Sequence, residues 1–443
     1  MNFIQKNKRT QKQMLETIGV NSIDQLFDSV PENIKTSQLN ISGGKTEQDI
    51  LKDFSELANK NKKLISFRGA GNYDHFVPSL VSEITERSEF WTAYTPYQSE
   101  ASQGTLQAIF EYQSLICALT GLDVSNASLY DGAVAVAEAA LLALRLSGKT
   151  EIIVSEGLNP QYIQTLKTYL TNSNAKIKIV PLSQNGNLEK ADIDNLLSDN
   201  IAAVIAQSPN YLGIVEDMSC LSNCVKIKKA LFISVVNLLS LGVFQTPGEY
   251  NCDIAVGEGQ PLGLETNFGG ATFGFMAVHK GFEWKLPGRI VGQTVDINGK
   301  RGFVLTLQSR EQHIRREKAY SNTCTNASLN ALSACVYLAG WGSDGLKKLG
   351  SVNISKARYA FNKIKTIDGL EAKFKNAIFF NEFVFDTGKN IKKLQQAFLK
   401  NNILGPLELS AFGKNFKNSL LFCVTEQRTK EEIDKLVEIL RTT

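Results

Sequence analysis

The chain has 443 residues, of which 43% are hydrophobic and 21% charged, and its formal net charge is +4. So slight a charge, without a basic tract interleaved with aromatic residues, argues against nucleic-acid binding. No apolar run reaches 18 residues, which argues against a membrane-spanning segment. A chain this long exceeds what one hydrophobic core usually supports, so we expect a larger and a smaller domain.

The cysteines and the N-terminus bear on the compartment. Seven cysteines form no evenly spaced framework, so buried, reduced thiols are expected. Cys220 and Cys224 have no histidine nearby, and no metal site is predicted. The basic N-terminus lacks the apolar core of a signal peptide. We therefore expect a cytoplasmic protein.

Residues 1–62 read as a helical arm. Ser22 with Gln25 and Thr46 with Asp49 each form a capping box before an apolar helical face. Such a segment is expected to pack on the large domain or on a partner chain.

Residues 64–104 combine glycine, proline and aromatic residues with few periodic signals. Loops of this kind are costly to order unless they pack against something. A long helix follows, and Gly121 is expected at its C′ position.

From residue 127 onward, short apolar segments alternate with helical ones, notably Ala133–Leu146 and Pro160–Leu170. Continuous apolar strands alternating with helices predict an α/β fold, with a mainly parallel seven-stranded sheet covered on both faces. Glu138, the charged residue of the first helix, is expected to be partly exposed or capped. Strands are predicted at Ala127–Tyr130, Glu151–Val154, Ile177–Val180, Ile201–Ala206, Leu231–Val236, Asp253–Val256 and Phe273–Val278.

A basic cluster and a smaller domain follow the sheet. The cluster is interrupted by glutamates and is interpreted as a solvated helix face, with a subunit interface as the alternative; it comprises Arg310, Arg315, Arg316 and Lys318. We place the large domain at 63–344 and a C-terminal α+β domain at 345–443. The latter is predicted from strands at Ile378–Phe385 and Leu420–Val424 and from a capping box at Thr429 and Glu432.

Five motifs in this order carry a family resemblance. They are YTPYQSEASQGTLQAIFEYQ (94–113), NASLYDGA (126–133), GEGQPLG (257–263), PGRIVGQTVDINGKRGFVLTLQSREQHIRREK (287–318) and SNTCTN (321–326). Together they resemble the P-protein of the glycine cleavage system, the decarboxylating glycine dehydrogenase. Within that family they resemble the α subunit (subunit 1) of the two-subunit bacterial form.

The resemblance implies fold type I of the enzymes that use pyridoxal phosphate (PLP), with an aspartate aminotransferase-like large domain and a small C-terminal domain. It also implies an α2β2 assembly in which the β subunit carries PLP and the lysine that anchors it as a Schiff base. The implied reaction decarboxylates glycine and transfers the aminomethyl group to the lipoyl arm of the H-protein.

The residues themselves argue against PLP on this chain. No lysine occurs between Asp253 and Val278, and by alignment with β-type chains the lysine position falls near Pro261, which has no amine. By the same alignment, the aspartate that would keep the pyridine nitrogen protonated corresponds to Ser234, whose hydroxyl cannot do this as a carboxylate does. Asp131 stands where the cofactor phosphate would approach, and its carboxylate would repel that group.

Candidate residues for lining the partner's active site, or the interface, are Tyr94, Tyr97, Gln98, Glu100, Arg68 and Tyr73. Tyrosine offers a rigid ring and a hydroxyl that both donates and accepts, which suits a pocket wall. The alternative is that these tyrosines brace their own loop. Glu258 and Gln260 are left open between a structural and a functional role.

Two other functions remain open at this stage. One is a self-sufficient PLP enzyme that uses a displaced lysine, Lys280 or Lys285. The other is a non-catalytic scaffold or regulatory pseudoenzyme that stabilises a PLP-fold partner. Each of the three histidines, His75, His279 and His313, is expected to be a structural hydrogen-bonder.

Overall fold

The computed structural model describes residues 7–36, 40–266 and 270–443. The chain divides into two compact units, Met1–Lys62 and Lys63–Thr443. Within the described ranges, no helix is both long enough and apolar enough to cross a membrane.

In the parts of the first unit that the structure describes, there are two α-helices, α1 (Lys8–Ile18) and α2 (Glu47–Ala58). Thr46 caps α2 as predicted, since its hydroxyl accepts a hydrogen bond from the Asp49 N–H. The helix predicted after Ser22 is wrong, because only a 3-10 turn forms there, over Asp24–Phe27.

The second unit contains eleven helices and fifteen strands among its described residues. The helices are α3 (Ser79–Thr85), α4 (Ser88–Trp91), α5 (Gln103–Thr120), α6 (Gly132–Ser147), α7 (Pro160–Leu170), α8 (Lys190–Leu196), α9 (Met218–Ile227), α10 (Gln312–Arg315), α11 (Ser328–Ile364), α12 (Ile391–Lys400) and α13 (Lys430–Thr442). The strands are β1 (Ile65–Ser66), β2 (Val124–Ser125), β3 (Glu151–Ser155), β4 (Lys176–Val180), β5 (Ile201–Ser208), β6 (Leu231–Val236), β7 (Ile254–Glu258), β8 (Gly274–Val278), β9 (Ile290–Val295), β10 (Arg301–Thr306), β11 (Leu370–Ala372), β12 (Glu382–Thr387), β13 (Ile403–Leu404), β14 (Leu407–Glu408) and β15 (Ser419–Cys423).

The central sheet has seven strands in the order β2-β8-β7-β6-β5-β3-β4. The five strands from β4 to β7 are parallel, and β8 and β2 add antiparallel pairings at one edge. This confirms the predicted mainly parallel sheet. The strand predicted at Ala127–Tyr130 is wrong: Ser128 has a φ of 114°, which breaks the extended backbone, and only Leu129 forms a bridge, to Gly274.

Helices cover both faces of the sheet. The alanine-rich face of α6 packs on one side together with α7. On the other side lie α5 and α11, around the buried rings of Tyr112, Tyr337 and Phe273. Small side chains let α6 approach the sheet closely, which places the first turn of this helix beside the end of β7.

The C-terminal part of the second unit has a four-stranded antiparallel sheet in the order β11-β12-β15-β14. Both components of the predicted capping box at Thr429 and Glu432 are present. β12 begins four residues later than predicted, at Glu382. The long helix α11 kinks at Gly342, where φ is 59° and ψ is −178°. The predicted boundary at 345 falls near this kink and stays a prediction.

The basic cluster differs from the interpretation given above. No continuous helix forms, because short 3-10 turns flank the four-residue α10. Arg315, Arg316 and Lys318 are exposed as expected, but Arg310 is only 7% exposed and Glu311 is equally buried. A solvated face is therefore wrong for Arg310.

Two further single-residue expectations need correction. Glu138 is buried, so partial exposure is wrong and the alternative of a capped carboxylate remains, since one of its oxygens accepts a hydrogen bond from the Ser321 hydroxyl at 2.6 Å. Burial raises the pKa of this carboxyl. Among the free cysteines, Cys324 is exposed, so the expectation of buried thiols fails there.

Candidate functional site

A small crevice lies beyond the carboxyl ends of β5, β6 and β7, where open α/β sheets bind their ligands. Its volume is about 30 Å³, which is enough to hold water but is small for a ligand. The lining residues are Gly71, Tyr73, Asn159, Tyr162, Gln207, Pro209, Val235, Val236, Asn237, Glu258, Pro261 and Asn381.

The N-terminus of α6 faces this crevice, and two carboxylates of the chain accept hydrogen bonds from N–H groups of this helix N-terminus. Asp131 caps the helix, accepting the Val134 N–H at 2.7 Å. Glu258, the last residue of β7, accepts the Gly132 N–H at 3.1 Å. The free N–H groups that make a helix N-terminus a phosphate site are therefore partly used by side chains of the protein itself.

Glu258 is held from its other side as well. It accepts the Gln260 N–H at 2.9 Å and the hydroxyl of Thr272. Burial raises the pKa of the Glu258 carboxyl, although the hydrogen bonds that it accepts act in the opposite direction, and the nearby charge of Asp131 adds slightly to the rise. Gln260 is also structural, because its side-chain amide exchanges hydrogen bonds with the backbone of Tyr73 at 2.9 and 3.0 Å.

Close packing leaves no space for another anion at this helix start. A Cβ added to Gly132 would lie 2.4 Å from Tyr162 Oη and 2.9 Å from the backbone nitrogen of Glu258. Only glycine fits between them, and the site is already closed by protein atoms.

The other two predicted positions lie nearby. Pro261 lines the crevice and offers neither an amine nor an N–H. Ser234 is fully buried within β6, and its hydroxyl pairs with Tyr250 Oη at 2.8 Å; Val236, two residues further on, lines the crevice.

These residues do not fit PLP. The crevice presents no amine at Pro261 and no carboxylate from Ser234, and the carboxylate of Glu258 stands against the helix N-terminus where a phosphate would be bound. The assignment of Pro261, Ser234 and Asp131 to cofactor positions rests on alignment and stays a prediction.

Tyr73 and Arg68 lie on the loop before α3. Tyr73 lines the crevice, and its hydroxyl donates to Glu382 at 2.7 Å. Burial raises the pKa of Glu382 to about 7. Arg68 does not line the crevice; its Nε donates to the Gly405 carbonyl at 3.2 Å, which ties this loop to the C-terminal sheet region.

The remaining predicted residues lie on a separate loop, 94–100. Tyr94 is 72% exposed and Tyr97 53%, and Gln98 and Glu100 are exposed too. The partners of this loop include Arg289, His313 and Thr325, none of which lines the crevice. The six predicted residues thus divide between two places, and no shared site is formed within this chain.

Sequence reasoning missed the side chains behind Tyr97. Arg289 is 3% exposed, and its Nη2 donates to Tyr97 Oη at 2.8 Å. Its Nε lies 3.6 Å from the buried carboxylate of Glu311. One sequence feature could have indicated its burial: Arg289 comes directly before the apolar start of β9, and a residue next to a buried strand is often buried too.

The two candidate lysines lie at the opposite end of the strands from the crevice. Lys280 follows β8, whose last residue Val278 pairs with Ile254 at the start of β7. The crevice begins at the other end of β7, about 13 Å away. Lys285 lies by the C-terminal end of α6, with its Nζ 3.4 Å from the Arg145 carbonyl. This arrangement disfavours the self-sufficient PLP enzyme.

The histidines have structural partners. His75 is buried and lies 2.7 Å from a Glu426 oxygen, and His279 lies 3.2 Å from Asp123. Outside the gaps at 1–6, 37–39 and 267–269, no group of three or more His, Cys, Asp or Glu residues could hold a metal ion.

Comparison with known proteins gives one consistent family. The family model described as glycine cleavage system P-protein matches residues 1–440. A relative from Endomicrobium trichonymphae, described as probable glycine dehydrogenase (decarboxylating) subunit 1, is 66% identical over 440 residues, covering 99% of each chain. A relative with the same description from Moorella thermoacetica is 47% identical over 442 residues, covering 100% of this chain and 99% of its own.

Solved structures agree with these sequences. A crystal structure of glycine decarboxylase, the P-protein of the glycine cleavage system, in inhibitor-bound form matches with a TM-score of 0.89 at 39% identity, covering 100% of both chains. A NifS-like protein from Rickettsia africae matches with a TM-score of 0.65 at 13% identity, covering 86% of this chain and 99% of its own. The second match shows the fold alone, that of fold-type-I PLP-dependent enzymes.

Proposed function

The chain belongs to the glycine cleavage system P-protein family, and on that premise we propose that it acts as the α subunit of a two-subunit, decarboxylating glycine dehydrogenase. The partner is a related β subunit in a cytoplasmic α2β2 assembly. The assembled enzyme releases CO2 from glycine and passes the aminomethyl group to the lipoyl arm of the H-protein.

One observation carries the division of labour between the two chains. The helix N-terminus of α6, where a fold of this type would bind a phosphate, is taken by the carboxylates of Asp131 and Glu258. We therefore assign PLP to the β subunit, where it would withdraw electrons from the glycine Cα as CO2 leaves. No catalytic residue is assigned to this chain acting alone.

The contribution of this chain is positional. Tyr94 and Tyr97 are rigid rings presented to solvent on a loop whose base is held by buried side chains. Such residues are suited to complete a pocket on a partner chain, together with Gln98 and Glu100. Decarboxylation depends on how the glycine carboxylate is oriented, so a wall residue can contribute as much as a reacting one.

Substitution of Tyr97 tests this role in the assembled enzyme. Tyr97→Phe keeps the ring and removes the hydroxyl, with both the hydrogen bond it accepts from Arg289 and the one it would make in the partner's pocket. The second loss should lower kcat/KM for glycine about five- to thirtyfold with assembly intact. Tyr97→Ala also removes the ring, so both activity and assembly should suffer. The assay is glycine decarboxylation with H-protein, at concentrations where sedimentation shows an intact complex.

The competing function is a scaffold that stabilises β without contributing to the substrate pocket. A scaffold predicts that Tyr97→Phe is nearly silent and that Tyr97→Ala lowers activity only as far as it lowers assembly. A Tyr97→Phe enzyme within twofold of wild type would therefore favour the scaffold.

A further inference from the structure

The guanidinium of Arg289 is buried with few partners. A guanidinium carries five N–H donors and no acceptor. Only its Nη2 makes a hydrogen bond, to Tyr97 Oη at 2.8 Å, while Nε and Nη1 have none. The cation also lies over the Tyr97 ring, with its central carbon 5.4 Å from the ring centroid. Burying a cation this way is costly, and Tyr97 is the group that receives its directed interaction.

The direction of that hydrogen bond has a chemical consequence. Because Arg289 can only donate, the oxygen of Tyr97 must accept, and the hydroxyl proton of Tyr97 is left to donate elsewhere. The Tyr97 side chain is half exposed, so its proton is available to a group outside this chain. A hydroxyl prepared in this way is a hydrogen-bond donor suited to an anionic oxygen.

Two further residues hold this arrangement in place. The Glu311 carboxylate lies 3.6 Å from Arg289 Nε and 3.7 Å from His313 Nδ1. The His313 ring packs edge-on against Tyr97 at a centroid distance of 5.8 Å. Glu311 therefore supports both side chains that touch Tyr97, and a flexible surface tyrosine would have no need of such support.

We propose that Arg289 is a positioning residue that fixes the Tyr97 hydroxyl as a hydrogen-bond donor to an anionic oxygen in the partner's active site. That oxygen belongs to the glycine carboxylate or to the cofactor phosphate. The inference rests on the proposed function, because it requires Tyr97 to face the partner's site.

A double-mutant cycle in the assembled enzyme tests the coupling. Arg289→Lys keeps the charge and most of the volume but loses the planar fork. Alone, Tyr97→Phe and Arg289→Lys should each lower kcat/KM about tenfold. Combined, they should lower it no further than Tyr97→Phe alone, because both remove the same oriented hydroxyl.

Arg310 provides a matched control. It is also buried, at 7% exposed, and has unpartnered donors, but its hydrogen bond goes to the Leu286 carbonyl instead of to Tyr97. Arg310→Lys should lower the thermal midpoint, and any loss of activity should add to that of Tyr97→Phe.

Two readouts identify the acceptor. If the Tyr97 hydroxyl donates to the glycine carboxylate, both single variants should show a raised KM for glycine and should retain PLP. If the hydroxyl donates to the cofactor phosphate instead, both variants should keep the wild-type KM for glycine and lose PLP more readily on dialysis.

Several outcomes overturn the proposal. One is Arg289→Lys activity equal to wild type while Tyr97→Phe is impaired. Another is a double variant whose losses multiply, and a third is failure of both Arg289→Lys and Arg289→Gln to assemble, which assigns Arg289 to folding. Two other outcomes bear on the premise. If Tyr97→Phe is as active as the wild-type complex, Tyr97 has no role in the pocket. If the wild-type complex itself does not decarboxylate glycine, the proposed function is wrong.

Discussion

Glu258→Ala tests the structural role of the carboxylate that closes the crevice. The substitution removes the acceptor of two buried N–H groups, those of Gly132 and Gln260, and of the half-buried hydroxyl of Thr272. A buried donor left unsatisfied costs about 1–3 kcal/mol. The hydroxyl can rotate to another acceptor, and removing a buried carboxylate relieves its desolvation. We therefore expect a net loss of about 3 kcal/mol in the free energy of unfolding.

The assay exploits the vacated helix N-terminus. In Glu258→Ala one of the two carboxylates at this helix start is gone, and an inorganic phosphate can take its place against the remaining repulsion of Asp131. A ligand at ten times its dissociation constant stabilises by about 1.4 kcal/mol. Thermal midpoints are measured in phosphate and in chloride at matched ionic strength. Phosphate should raise the midpoint of the variant and leave the wild type unchanged.

A matched control separates this effect from the loss of any carboxylate. Glu156 also accepts a backbone N–H, from Leu182 at 3.0 Å, but it is exposed to solvent. Glu156→Ala should cost at most about 1 kcal/mol, with no response to phosphate. A Glu258→Ala midpoint equal to wild type, or an equal gain from phosphate in both proteins, would refute the reasoning.

The remaining predictions concern packing, pH and the cofactor. Gly132→Ala should lower the thermal midpoint, by about 1–3 kcal/mol of stability, because the new methyl group would overlap Tyr162; an unchanged midpoint would mean that the helix start is loosely packed. The pKa of Glu382 is raised to about 7, so the native state retains a proton that the unfolded chain loses from about pH 4.5 upward. Stability should accordingly fall as pH rises from about 4.5 to 7, by up to about 3 kcal/mol, and Glu382→Gln should flatten this dependence in denaturant titrations across that range. The isolated chain, mixed with PLP and treated with borohydride, should carry no stoichiometric adduct by mass spectrometry; one PLP retained per chain would contradict the reading of the crevice.

Much of the fold could be predicted because its signals are local. Continuous apolar runs marked six of the seven central strands. The seventh was misplaced because Ser128 adopts a positive φ, which cannot be predicted from a serine in the sequence. The helix predicted after Ser22 failed for the opposite reason, since a local capping signal was present but only a 3-10 turn formed.

The site was less predictable because its contacts join distant residues. Glu258 and Gly132 are 126 positions apart, so the sequence left the role of Glu258 open. Only the structure places Gly132 beside Glu258, at the carboxyl end of β7. Arg289 reaches Tyr97 across 192 positions, and the same limit applies to the buried Arg310. Charged residues are ordinarily solvated, and only their long-range partners reveal an exception.

The carboxylate at the start of α6 also bears on how this fold responds to its surroundings. A free phosphate ligand stabilises a protein in proportion to the logarithm of its concentration, so such a fold weakens when the ligand is scarce. Glu258 is covalently part of the chain and is held against the Gly132 N–H at 3.1 Å. Its effective concentration is set by the backbone and cannot be diluted. If the β subunit holds PLP, as proposed above, the folding of this chain does not depend on the supply of cofactor, and a newly made chain can reach its native state before PLP is bound in the complex.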